Sequence, residues 1–147
     1  MKIVHQPDIF LREPTSEVKL PLSPEDQDIL DQMISTMYEN KGIGLAANQV
    51  GYARRMFVMD TSTDGNSPKF FINPVIDKRA KEKLTEEEGC LSCPNKFAKV
   101  RRPIYLGLKW ICRHGKEQYK TFYHLPARVV QHEMDHLEGK LCIDYEQ

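Results

Sequence analysis

The sequence has no apolar run near the roughly 18 residues that a membrane-spanning helix needs. Nor does it carry an excess of charge of either sign: Lys and Arg total 21 and so do Asp and Glu. That balance argues against nucleic acid or an anionic membrane as the main partner. Cysteine is scarce, with Cys90, Cys93, Cys112 and Cys142 the only four. Four scattered thiols in a chain of 147 residues do not make a disulfide framework. Residues 1–10 lack a basic stretch followed by an apolar one, so they do not read as a secretory signal. There is no repeat and no low-complexity linker. The absences leave one reading: a single domain over residues 1–147, in a reducing, cytoplasmic compartment, able to bury its own core.

What is present reads as α+β. Ser23-Pro24-Glu25 combines a capping side chain, a first-turn proline and an acidic first turn, so a helix is expected from there to about Tyr38. Ile29, Leu30, Met33, Ile34 and Met37 give it a helical stripe. Residues 42–49 are rich in small side chains and read as a loop. Residues 55–60 and 69–76 read as strands separated by a turn at Asp64-Gly65-Asn66. Residues 78–88 are highly charged and read as an exposed strand or loop. Residues 104–113 and 117–123 form a hairpin about His114-Gly115-Lys116. A second helix is expected over residues 126–137, with Gly139 just past its end.

That second helix carries His132, Glu133 and His136, an H-E-x-x-H motif. Side chains four apart on a helix lie on one face, so both imidazoles can reach one divalent metal. Glu133 is rotated off the ligand axis, where a carboxylate can take a proton from water. Two histidines do not complete a coordination shell, and Cys90 is the natural third ligand. A thiolate beside a dication suits zinc or ferrous iron. Cys90 and Cys93 also make a C-x-x-C, which leaves a zinc knuckle or a redox pair as competing readings. On an extended segment Cys93 would point to the opposite face. It would then be, with Cys112 and Cys142, a small buried hydrophobe.

Three segments, in order, resemble the signature motifs of the peptide deformylase family. They are Gly42-Ile43-Gly44-Leu45-Ala46-Ala47-Asn48-Gln49, Glu88-Gly89-Cys90-Leu91-Ser92 and Gln131-His132-Glu133-Met134-Asp135-His136. The resemblance implies antiparallel sheets packed around a central metal-binding helix. It implies one ion per chain, Fe2+ or else Zn2+, Ni2+ or Co2+, on Cys90, His132 and His136. The activity implied is removal of the formyl group from the N-terminal formyl-methionine of nascent peptides, releasing formate. Glu133 would move the proton, while the Gln49 amide and the Leu91 backbone N–H would hold the oxyanion. Ile43, Gly44 and Gly89 would offer backbone groups to an extended substrate. Ile43, Glu88, Leu125, Arg128, Val129 and His132 would surround the methionine side chain.

Asn48 and Cys93 fill positions that vary within the family. Many bacterial members continue past the segment matching residues 141–145 into a long helix thought to dock on the ribosome. This sequence stops at Gln147, like short forms found in bacteriophages, so docking by that route is not expected. Asp135 reads as structural, pairing with Arg101 or Arg102. Two other functions compete: a different H-E-x-x-H amidase or peptidase, and a non-enzymatic module with a closed, structural metal.

Overall fold

The computed structural model describes residues 1–145, so the expectation about the chain beyond Tyr145 lies outside the described residues. The first helix, α1 (Pro24–Glu39), begins as its sequence requires. The Ser23 hydroxyl accepts from the Asp26 N–H at 3.0 Å, and the Asp26 carboxylate accepts from the Ser23 N–H at 3.3 Å. This reciprocal box satisfies two N–H groups that the helix itself cannot. At the other end Lys41, not Gly42, takes the left-handed conformation, with φ 58°. Gly42 is small for another reason: a Cβ there would lie 2.8 Å from the Leu91 side chain.

Seven strands and a second helix follow. They are β1 (Gly44–Ala46), β2 (Met56–Met59), β3 (Lys69–Arg79), β4 (Lys83–Cys90), β5 (Cys93–Pro103), β6 (Tyr105–Ile111), β7 (Glu117–Tyr123) and α2 (His124–Leu137). Five strands make an antiparallel sheet in the order β1-β2-β3-β6-β7, and β4 and β5 form a separate hairpin. This is the expected α+β arrangement, with α2 between the two sheets and helix α1 on the far face of the larger one. The strand residues alternate accordingly. Met56 and Val58 pack with α1 residues Leu30, Met33 and Met37, whereas Phe57 and Met59 pack with α2 residues Val130, Met134 and Leu137. Burying one such apolar side chain is worth about 1.5–3 kcal/mol, so these two stripes fix the helices firmly against the sheet.

One expectation holds, since residues 78–88 are mostly exposed strand, and two others change. The supposed loop at residues 42–49 is strand β1 followed by a single 3-10 turn, Ala47–Val50. The charged stretch at 78–88 is the end of β3, a turn, and most of β4. Strand β5 was not expected at all. Its period-two signal is real, since Ala98, Val100 and Arg102 are buried. One of those buried positions is an arginine, however, and hydropathy does not register it.

Helix α2 ends at Gly139, which has φ +78°. A Cβ there would sit 2.3 Å from the Arg12 carbonyl oxygen. Both the left-handed backbone and the collision penalise any side chain. Gly139→Ala should therefore lower stability by about 2 kcal/mol or more, read as a lower urea midpoint with an unchanged m-value.

Candidate active site

Packing sets how α2 presents its polar residues. Ala127, Val130, Met134 and Leu137 face the five-stranded sheet. His132 and His136 consequently turn toward the β4–β5 hairpin, and Glu133 lies at the seam with β1. The Nε2 atoms of His132 and His136 are 3.2 Å apart, and the Cys90 Sγ is 3.3 Å from that of His136. Ligand atoms of all three residues lie within 4.8 Å of one another. Bonds of zinc-like length at tetrahedral angles put N and S ligands about 3.3–3.6 Å apart, so the three fit one ion.

The second ring nitrogen of His132 is held as well, whereas His136 Nδ1 is buried with no hydrogen-bond partner among the described residues. His132 Nδ1 lies 2.9 Å from Glu88 Oε1, which orients the ring and leaves Nε2 as the donor. Burial, with the charges of His132 and Arg102, holds the His136 pKa well below its usual range, so that ring is neutral. Glu88 is the centre of a buried network. Arg102 grips it with two nitrogens, at 2.6 and 3.0 Å, and Arg128 adds a third contact at 2.7 Å. Burial alone would raise the Glu88 pKa. Hydrogen bonds from His132 and Arg102 and the Arg102 charge overcome it and bring the value to about 2. Asp135 completes the set, accepting from Arg102 at 2.9 Å and from the Tyr145 hydroxyl at 2.8 Å.

Glu133 is in the opposite condition. It is buried with no cation paired to it, and its Oε1 has no hydrogen-bond partner among the described residues. Burial raises its pKa to about 7, the Glu88 charge adding to the rise and His132 opposing it. Its other oxygen packs against β1. A Cβ on Gly44 would come within 2.6 Å of Glu133 Oε2 and 2.9 Å of Val129, so only glycine fits.

The β1 ladder shows what its edge offers. The Asp60 N–H donates to the Ile43 carbonyl, and Gly44 pairs with Met59. In an antiparallel ladder that arrangement turns the N–H and C=O of Gly44 away from β2, toward the open edge. Ala46 points the same way, and its N–H donates to Gln49 Oε1 at 2.9 Å. With its carbonyl pinned there, the Gln49 amide directs Nε2 toward Ser92 Oγ at 3.1 Å and Cys90 Sγ at 3.5 Å. A cavity of about 840 Å³ opens over this group.

The family model for polypeptide deformylase matches residues 1–147. The chain belongs to the polypeptide deformylase family. The peptide deformylase of Pelagibacter ubique is 41% identical, the match covering 97% of this chain and 84% of that one. A crystal structure described as a probable peptide deformylase from Synechococcus phage S-SSM7 superposes with a TM-score of 0.94 at 39% identity, covering 99% of both chains. The Thermotoga maritima peptide deformylase gives 0.93 at 38% identity, covering 99% of this chain and 97% of that one.

The cavity brings together most of the residues read from the sequence, with some in different situations. Ile43, Gly44, Glu88, Gly89, Leu91, Leu125, Arg128 and Val129 all line the cavity with Gln49, Cys90, His132 and Glu133. Glu88 and Arg128, though, commit their charged ends to each other; Arg128 also donates to the carbonyls of Leu84 and Val100. What they can offer a ligand is mainly the remainder of their surface. The Ile43 carbonyl is likewise taken by Asp60, leaving its N–H. Cys93 does not face away from Cys90. Residues 91 and 92 form a tight turn, so Cys90 and Cys93 are cross-strand partners on the same side.

Sequence reasoning passed over Ser92, Asn48 and Phe97. Ser92 is fully buried and bonded to Gln49. Asn48, also fully buried, donates to the His136 carbonyl and thereby fixes the end of the ligand helix. Phe97 is 61% exposed at the cavity rim, its ring covering Gly89. The alternation of Ala98, Val100 and Arg102 was the available signal for this strand.

The Glu88 network sets an acid limit. Its carboxyl has a pKa depressed from 4.5 to about 2 in the fold, so its contribution is complete above the unfolded value and fades as pH falls toward the folded one. Urea midpoints measured after chelation should drop between pH 4.5 and 2. Glu88→Gln should be less stable already at neutral pH, by about 3–5 kcal/mol for a broken buried pair, with a flatter acid limb.

Proposed function

We propose that this chain hydrolyses the formamide of N-terminal formyl-methionine on nascent peptides, giving formate and a free amine. The observation that carries this reading is the convergence of three sites. Cys90 and His132, with His136 buried directly behind them, meet an unpartnered buried carboxylate and a pinned carboxamide at one cavity. Cys90, His132 and His136 would hold one divalent ion. Their mixed sulfur and nitrogen donors suit ferrous iron and zinc alike, with Ni2+ and Co2+ also accommodated. When bound, the ion supplies Lewis acidity and brings the pKa of a water molecule toward neutrality.

The remaining chemistry belongs to the chain. Glu133, with a pKa near 7 and one free oxygen, takes the proton of the attacking water and returns it to the departing nitrogen. Gln49 Nε2 and the Leu91 N–H donate to the formyl oxygen as it becomes negative. Ala46 already fixes the far side of the Gln49 amide, so only the proton directed at Cys90 has to be redirected. The outward N–H and C=O of Gly44 pair with the peptide backbone as an added strand. Gly89 lies on the facing β4 edge. Val129, Leu125 and Ile43, with the non-polar surface of Glu88 and Arg128, surround the methionine side chain.

A peptidase would use the same ligands, but a free β1 edge beside a pinned glutamine favours a short N-terminal group. A closed structural site would need a fourth ligand, and Cys93 is not within the cluster of Cys90, His132 and His136. The work of such an enzyme lies where peptides are being made, which makes the cytoplasm the expected location. No helix among the described residues is long and apolar enough to cross a membrane.

Metal counting together with formate release from formyl-Met-Ala-Ser tests the reading. One ion per chain with no formate released would sink it. Glu133→Ala should keep the ion yet lose about a hundred- to ten-thousand-fold in kcat; loss of the ion would instead make Glu133 structural. Gln49→Ala should lower kcat by about a hundredfold, or ~3 kcal/mol, as expected for one oxyanion donor. Its metal content should not change.

A further inference from the structure

The tight turn at residues 91 and 92 makes Cys93 the direct cross-strand partner of Cys90. Side chains of such partners lie on one side of the hairpin with Cβ atoms about 4.5–5.5 Å apart. The turn brings the two thiols together here. They pack together with Leu11 and Leu141, in a pocket whose apolar wall keeps them in each other's company. Both also line the cavity, so a small molecule that reaches the metal ligands reaches this pair. Neither is held in a disulfide. The proposed hydrolysis uses Cys90 and has no use for Cys93.

We infer that Cys93 is a resolving thiol for Cys90, making the metal site a reversible, peroxide-sensitive modification site. Hydrogen peroxide transfers one oxygen to the Cys90 sulfur, giving a sulfenic acid and one water. The Cys93 sulfur then attacks that sulfur. An S–S bond forms, the S–O bond breaks, and the oxygen leaves with the remaining thiol proton as a second water. The two sulfurs supply the two electrons that reduce the peroxide. With Cys90 tied to Cys93, the face of three donors is reduced to His132 and His136, and the ion is released. A dithiol reverses the step by exchange. Without a neighbour, Cys90 would continue to sulfinic and sulfonic acids, which thiols do not repair.

This proposal rests on Cys90 being a metal ligand, which metal content before treatment reads separately. The metal-loaded protein is treated with hydrogen peroxide, its free thiols are alkylated, and the digest is mapped by mass spectrometry alongside metal counting. The expected product is two hydrogens lighter, linked Cys90 to Cys93, with the ion lost and recovered after dithiothreitol and metal. Cys93→Ser and Cys93→Ala should instead gain oxygen at Cys90 and fail to rebind the ion after reduction. The parent chain alone decides the matter if a variant does not fold. Oxygen addition at Cys90 in the parent chain would overturn the inference. So would a disulfide from Cys90 to Cys142, which also packs against it, or to Cys112. A chain that holds no ion at the start counts against the ligand assignment; its disulfide map still tests the pairing.

Discussion

The carboxylate of Glu88, enclosed by Arg102, Arg128 and His132, joins three elements of the fold. Glu88 comes from β4, Arg102 from β5, and Arg128 and His132 from α2. Buried charges are costly to desolvate, and such a network is weak evidence for net stability. What it supplies is direction. Two positive guanidinium groups and one imidazole N–H leave the carboxylate one arrangement that satisfies all of its lone pairs. That arrangement fixes the tautomer and the tilt of His132. Two residues further along β4, Cys90 reaches the same helix at His136. The hairpin therefore meets α2 through a charge network and a ligand set set side by side, and the first holds the second in register.

The opposite wall of the site depends on the lack of side chains. Period-two alternation aims Gly44 and Ala46 at α2 and Leu45 at α1. The space that a larger residue would fill at Gly44 holds the Glu133 carboxylate. Close approach dries that carboxylate, and drying raises its pKa toward the range useful to a general base. The same exposed edge carries the backbone groups of Gly44, and Ala46 clamps Gln49. In the proposed reaction, one short strand would shape proton transfer, oxyanion binding and substrate alignment together. Each follows from a glycine-leucine-alanine segment lying where a helix bearing an acid crosses it.

Much of this was legible in the chain itself. The i, i+4 spacing of His132 and His136 is local, and so are the cap at Ser23 and the alternation of β6. Strand β1 was read as a loop because three residues, two of them small, carry almost no pattern of their own; the neighbouring strand makes it a strand. Strand β5 escaped notice because a buried arginine occupies one of its inward positions. Glu88 was legible as a residue of the site but not as an orienting anion, since its partners lie 14, 40 and 44 residues away. Cys93 was misdirected by assuming an extended chain where a turn intervenes.

The order and spacing of the motifs, by themselves, determined the family, the fold class and the donor atoms available to a metal. Those are properties of residue identity and of helical and strand periodicity, which short segments carry within them. Only the tertiary structure decided which way those groups point. It turned Gln49 by one backbone hydrogen bond, left Glu133 without a directly paired cation while surrounding Glu88 with three partners, and brought Cys93 against Cys90. Orientation and desolvation arise between segments remote in sequence, so no single stretch of the chain could specify them.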